Sequence, residues 1–137
     1  MSPAARDGGA SLALYLLLMK FLFSSAAALA ASLVALPAHA IIECGSASHY
    51  GVGDGFHGRT AANGRTFNAY AMTAAHPWLP LGSRILVKNR DNGRQVAVTI
   101  TDRGPYYGGR ILDLSYGSFS HIASPSRGTA SVCISRA

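Results

Sequence analysis

Val96, Val98 and Ile100 alternate with Gln95, Ala97, Thr99 and Thr101. A period of two turns one set toward a core and the other toward solvent, so residues 95–101 predict a half-buried strand. Residues 84–88, Arg-Ile-Leu-Val-Lys, read the same way, and the Asn-Arg-Asp-Asn-Gly run between the two segments predicts a hairpin. Four more short strands are expected over residues 47–50, 70–74, 110–114 and 129–135, each set off by Gly, Pro or Asn. Ser115 is a suitable N-cap for a short helix ending near Ile122, although Gly117 weakens it. The fold class is therefore all-β. Strands this short favour a small closed barrel over an open sheet, because closure removes unpaired edges. Residues 51–67 are glycine-rich without a period and predict a long ordered loop, a common place for binding residues.

The first forty residues differ in kind. They are almost wholly apolar from Ala10 to Leu36 and close on Pro37-Ala38-His39-Ala40, a small-x-small exit that predicts a secretory signal peptide over residues 1–40 with cleavage after Ala40. Read from Met19, the stretch has ordinary signal length, which makes Met19 a candidate true start. An uncleaved anchor is the competing reading, since more than eighteen apolar residues can span a bilayer. Cleavage leaves residues 41–137, one small domain with no stable membrane anchor.

The whole chain carries twelve Lys or Arg against six Asp or Glu, a net charge of +6. Such a balance suits an anionic partner, and export excludes nucleic acid in favour of a wall polymer or lipid headgroup. Cys44 and Cys133 sit just inside the two ends of the domain, and in an oxidising compartment they predict a disulfide. A lipid anchor on Cys44 is the alternative, but Ile41-Ile42-Glu43 lacks the small residues that such processing prefers. His49, His57, His76 and His121 lack metal-ligand spacing, so no metal or other cofactor is expected.

Candidate chemistry concentrates in Ala47-Ser48-His49-Tyr50-Gly51, Phe56-His57-Gly58-Arg59, Ala74-Ala75-His76 and Asp102-Arg103-Gly104-Pro105. With Leu79-Pro80-Leu81-Gly82, Asn92-Gly93-Arg94 and Asp113-Leu114-Ser115, these stretches resemble the rare lipoprotein A family over about residues 46–135. The resemblance implies a six-stranded double-psi β-barrel, exported to the periplasm or cell wall as a monomer. It also implies an endolytic lytic transglycosylase that cleaves the MurNAc–GlcNAc linkages of peptide-poor peptidoglycan strands to 1,6-anhydro ends. His76 falls on the family's histidine and Asp102 on its aspartate, which makes these two the expected catalytic residues. The family's third functional position is a glutamate after Asn-Gly, and here Asn63-Gly64 is followed by Arg65.

Hydrolysis of a glycoside uses two carboxylates, but an anhydro product needs no positioned water because the sugar's own 6-hydroxyl attacks. One acid that gives a proton and takes one back then suffices, and Asp102 is the nominee. Asp54, on the long loop, is the expected substitute for the missing glutamate, since Glu43 sits beside Cys44 and Asp91 lies in the hairpin turn. Tyr50, His57, Arg59, Arg65, Arg103 and Tyr106 are the expected substrate contacts. Arg110 and Asp113 are expected to be mainly structural; the competing reading of this stretch has Asp102 capping its turn through backbone N–H groups while Arg103 and Asp113 form a structural ion pair. The alternative function is a non-catalytic, expansin-like module that binds wall polysaccharide, favoured by Arg65.

Overall fold

The computed structural model describes residues 39–137 and, ahead of them, Leu16 alone. The leader expected over residues 1–40 and its start at Met19 otherwise lie outside the described residues. The elements are β1 (Ile41–Tyr50), β2 (Thr73–Ala75), β3 (Arg84–Asn89), β4 (Gln95–Asp102), β5 (Arg110–Ser115), α1 (Tyr116–Ile122), a 3-10 turn (Pro125–Arg127) and β6 (Thr129–Arg136). The six strands close into a barrel in the order β1-β5-β2-β4-β3-β6. β1 pairs β5 in parallel and β2 pairs β4 in parallel, while the other pairings are antiparallel. The expected closed, all-β double-psi barrel with one helix is the observed fold.

The alternation read from the sequence sets the core. Val96, Val98 and Ile100 of β4 point inward with Ile85 and Val87 of β3, Leu112 and Leu114 of β5, and Val132 and Ile134 of β6. Helix α1 adds Phe119 and Ile122 to this core, both fully buried. Burial of a side chain the size of Phe119 stabilises by roughly 1.5–3 kcal/mol. Ser115 caps the helix by accepting from Ser118 N at 3.1 Å. Gly117, unfavourable by propensity, is required by packing: a Cβ there would sit 2.5 Å from the carbonyl oxygen of Tyr70.

Two strands differ from expectation at their ends. Residues 70–72 turn instead of extending, with Ala71 N donating to Asn68 O and Thr73 N to Ala71 O, so β2 shrinks to Thr73–Ala75. β1 begins earlier, at Ile41, because β6 supplies a ladder for it. That pairing sets Cys44 opposite Cys133, and the expected disulfide joins them.

The long loop is ordered by its own contacts. Gly58 N donates to Phe67 O, and Phe67 N to Arg59 O. Phe67 packs with Ala61 and Ala69 in a second apolar cluster, and the Tyr50 ring stacks on it at 4.5 Å between centroids. Gly51, at φ +113°, lets the chain leave β1 where a Cβ would meet Ala69 at 2.6 Å.

Candidate functional site

The parity of β4 would carry Asp102 onto the core face behind Val96, Val98 and Ile100. It does not arrive there, because the register against β2 passes from Ala74↔Ile100 to Ala75↔Asp102 with Thr101 as the extra residue. Such a bulge re-aims the side chain that follows it. Asp102 is half-buried, and its Oδ1 accepts from Ala62 N at 3.0 Å and Arg103 N at 2.9 Å. Oδ2 accepts from no described residue. The carboxylate is therefore fixed through one oxygen and free at the other.

Beside it lies a cavity of about 580 Å³ lined by Asn63, Arg65, Asn68, Thr73, Leu81 and Thr101, among others. Asp102 is not a lining residue, but Thr101 precedes it and Asn63 follows the Ala62 that holds it. Asn63 N also donates to Thr101 O at 3.1 Å, so the loop carrying Arg65 is fastened to the end of β4. Arg65 is exposed in this lining and makes no ion pair among the described residues. The lining contains no carboxylate.

His76 occupies a different environment. It is fully buried, and its Nδ1 accepts from Trp78 N at 3.2 Å and Leu79 N at 3.1 Å. That fixes the ring proton on Nε2, which donates to Glu43 Oε1 at 3.1 Å. Burial lowers the His76 pKa below its ordinary 6.5, and the bond to Glu43 opposes that shift. Both ring nitrogens are thus engaged within the protein. The link to Asp102 runs through the backbone, where His76 N donates to Asp102 O at 3.1 Å. Glu43 had been passed over in the sequence. Its partner lies 33 residues away, and only the barrel's closure brings the two together.

Arg103 does not pair with Asp113. Its guanidinium donates to the carbonyls of Leu79 at 2.6 Å and His76 at 3.2 Å, tying the loop after β2 to the end of β4. Asp113 instead bonds Arg110 and Ser48. Residues three apart in a regular strand face opposite ways. The register with β1, however, passes from Ser46↔Arg110 to Ala47↔Leu112, and the extra Ile111 brings Arg110 and Asp113 to one side.

The other expected contacts scatter. His57 accepts from Ala69 N at 3.1 Å and so braces the loop, while the Arg59 guanidinium lies 5.8 Å from the Phe56 ring centroid. The Tyr50 hydroxyl is buried without a partner; burial, reinforced by the carboxylates of Asp102, Asp113 and Asp54, pushes its pKa upward. Tyr106 is 76% exposed and free to meet a ligand. Asp54 does not replace the missing glutamate: its two oxygens accept from Gly51 N at 2.7 Å and Phe56 N at 3.0 Å, closing the loop on itself.

Comparison with known proteins agrees with this architecture. The model of the lytic transglycolase family matches residues 42–134. A protein of a Synechocystis species named probable endolytic peptidoglycan transglycosylase RlpA is 50% identical over 93 residues, covering 68% of this chain and 28% of that protein. The Pseudomonas aeruginosa endolytic peptidoglycan transglycosylase RlpA is 48% identical over 88 residues, 64% of this chain and 25% of its own length. The chain thus spans only about a quarter of these relatives. Among solved structures, the Streptomyces papain inhibitor superposes with a TM-score of 0.54 at 24% identity, covering 68% of this chain and 91% of that one. A Clavibacter michiganensis expansin gives 0.55 at 22% identity, covering 69% and 49%. These two likenesses concern the fold. With the family model covering nearly the whole barrel, the chain belongs to the lytic transglycolase family, and the resemblance to rare lipoprotein A seen in its motifs is borne out.

Proposed function

We propose that this barrel acts outside the cytoplasm on peptidoglycan glycan strands and cleaves them as an endolytic transglycosylase. The observation that carries this is Asp102, a carboxylate held by backbone amides through Oδ1, with no described residue on Oδ2, directly after Thr101 of the cavity wall. In its protonated form Asp102 gives the proton to the glycosidic oxygen as the C1–O bond breaks. The 6-hydroxyl oxygen of the same sugar closes on C1, and its proton returns to the carboxylate. Acid and base are then one group, and no water is consumed. His76 acts as a positioning residue, holding the 76–79 loop and, through its N–H, the Asp102 backbone. Arg103 supports the same loop through the carbonyls of His76 and Leu79.

A second reading is a binding module without cleavage, and the absence of any carboxylate from the cavity lining favours it. Incubating peptide-free glycan strands with the protein and with Asp102→Asn separates the two. Anhydro-muramyl ends detected by mass spectrometry from the wild type alone support the enzyme. Binding to the strands without such ends from either protein supports the module, and neither binding nor product would sink both.

A further inference from the structure

The aromatic rings of the barrel are used in two ways. Phe67 and Phe119 are buried, and the Tyr50 ring is stacked on Phe67. Trp78 and Tyr106, by contrast, are 60% and 76% exposed. Both stand on segments gathered around Asp102. His76 N donates to Asp102 O, and Arg103 donates to the carbonyls of His76 and Leu79, which bracket Trp78. Trp78 N donates to His76 Nδ1 at 3.2 Å, and the indole meets the imidazole at 4.9 Å between centroids and 86° between planes. Pro77 and Pro80 stiffen the backbone on either side. Tyr106 follows the end of β4, and its ring turns back over Gly104, 3.8 Å from where a Cβ on that glycine would lie. Tyr107 is exposed as well, but the Arg110 guanidinium lies 5.2 Å from its ring centroid. Neither Trp78 nor Tyr106 lines the cavity that holds Arg65. An indole left in water forgoes one of the largest burial gains open to a side chain, and here a buried histidine holds it in place without covering it.

We infer that Trp78 and Tyr106 form a stacking platform for pyranose rings, on which a glycan lies as it passes Asp102. The inference takes its ligand from the peptidoglycan reading, on which it rests, and adds residues that hold that ligand outside the cavity. A pyranose presents a face of C–H bonds whose positive polarisation matches the negative face of an aromatic ring, while its hydroxyls stay at the rim. The indole N–H and the phenol O–H are polar edges that bond those hydroxyls. Because the indole has two side-chain torsions and already rests on His76, little freedom is lost when a sugar stacks on it. The His76 knot then has a use beyond stability: by holding Trp78 it places a sugar ring relative to the carboxylate that acts on the strand.

Trp78 is the chain's single tryptophan, so its fluorescence reports on this position without a label. Glycan strands are titrated into the Asp102→Asn protein, which leaves them intact, and binding is followed in parallel by calorimetry. Stacking is expected to shift the indole emission to shorter wavelength and to shield it from acrylamide quenching. Trp78→Ala in the same background is expected to bind roughly tenfold more weakly, and Trp78→Phe, which keeps a ring, to recover much of that loss. Tyr106→Ala is expected to lose several-fold. Trp78 and Tyr106 are exposed, so the variants are expected to melt where the parent does. Binding that leaves emission and quenching unchanged, or an unchanged affinity in Trp78→Ala, overturns the inference while the glycan reading stands. A loss in Trp78→Ala that comes with a lower melting temperature and is not recovered by Trp78→Phe assigns the effect to the loop and overturns the platform. An unchanged affinity in Tyr106→Ala overturns the pairing of the two rings. Failure of the parent protein to bind the strands overturns both the inference and the function on which it rests.

Discussion

The His76 knot and the Arg65 cavity adjoin the same end of β4, yet they treat polar groups in opposite ways. In the knot, every nitrogen of the imidazole is matched: two amides donate to Nδ1 and Nε2 donates to Glu43, while Arg103 is tied to two carbonyls of the same loop. In the cavity wall, Asn63, Asn68 and Arg65 are exposed and present two oriented amides and a guanidinium that no described residue engages, while the Thr73 and Thr101 hydroxyls behind them are buried without a partner. A buried polar group without a partner carries a desolvation cost that natural folds avoid unless something else repays it. Satisfied clusters of this kind hold the structure, while polar groups left facing water stay available to a ligand. Asp102 stands between the two, with one oxygen in the framework and no described partner on the other.

The contrast breaks most easily at Asp102. Asn at this position keeps an oxygen for the Ala62 and Arg103 amides but has no proton to give. Anhydro-end formation is expected to fall by about 10²–10⁴-fold, the usual contribution of a general acid or base. The melting temperature is expected to stay near that of the wild type. A variant that unfolds, or that cleaves at the wild-type rate, contradicts the split between the two oxygens.

His76→Ala gives the complementary result. It removes a buried ring, strands the amides of Trp78 and Leu79 and leaves Glu43 without its donor, which together cost on the order of 3 kcal/mol. Denaturant unfolding measures it. His76→Asn is expected to recover part of the loss, since an Asn oxygen accepts from backbone amides two residues on in the way the imidazole Nδ1 does here. If His76→Ala were as stable as the wild type yet inactive, His76 would belong on the chemical side of the comparison.

How much of this division was legible in the sequence depends on distance along the chain. Alternation gave β4 and its hairpin, and the Ser115 cap gave the helix, because these are local patterns. Asp102 and His76 were legible only through their motifs. Their environments were not, since a bulge at Thr101 aims one and a glutamate 33 residues upstream holds the other. The pairing of Asp113 with Arg110, in place of the alternative partner Arg103, was hidden for the same reason. An extra residue at Ile111 changes the parity of β5, and alternation assumes that parity never changes. Gly117 looked like a defect from propensity alone, because the backbone it admits at Tyr70 comes from a segment 47 residues earlier.

Thr101→Val sharpens the contrast on a smaller scale. The swap removes a hydroxyl that is buried and unpartnered in the free protein, so stability is expected to hold or rise by up to about 1 kcal/mol. Glycan affinity is expected to stay at the wild-type value, because a hydroxyl with no accessible surface does not meet a ligand. A several-fold loss of affinity at unchanged stability would show instead that the hydroxyl reaches the ligand. Loss of both together would mean that the hydroxyl already has a partner in solution.

The smallest effect is the pH dependence of the knot. Burial lowers the pKa of His76, so the folded protein holds the ring neutral where the unfolded chain, with its ordinary value of 6.5, takes up a proton. The stability contributed by the neutral ring is therefore complete above that value and declines as pH falls below it. Carboxylates also titrate in acid, so the informative quantity is the difference in unfolding free energy between wild type and His76→Asn. That difference is expected to narrow as pH falls from about 7.5 to about 5.5, because only the wild type has a ring that protonates more readily unfolded. A gap that widens toward acid would mean that the Glu43 carboxylate outweighs burial and keeps the imidazolium in place. The knot would then be an ion pair, and His76 would carry charge toward the strand that holds Asp102.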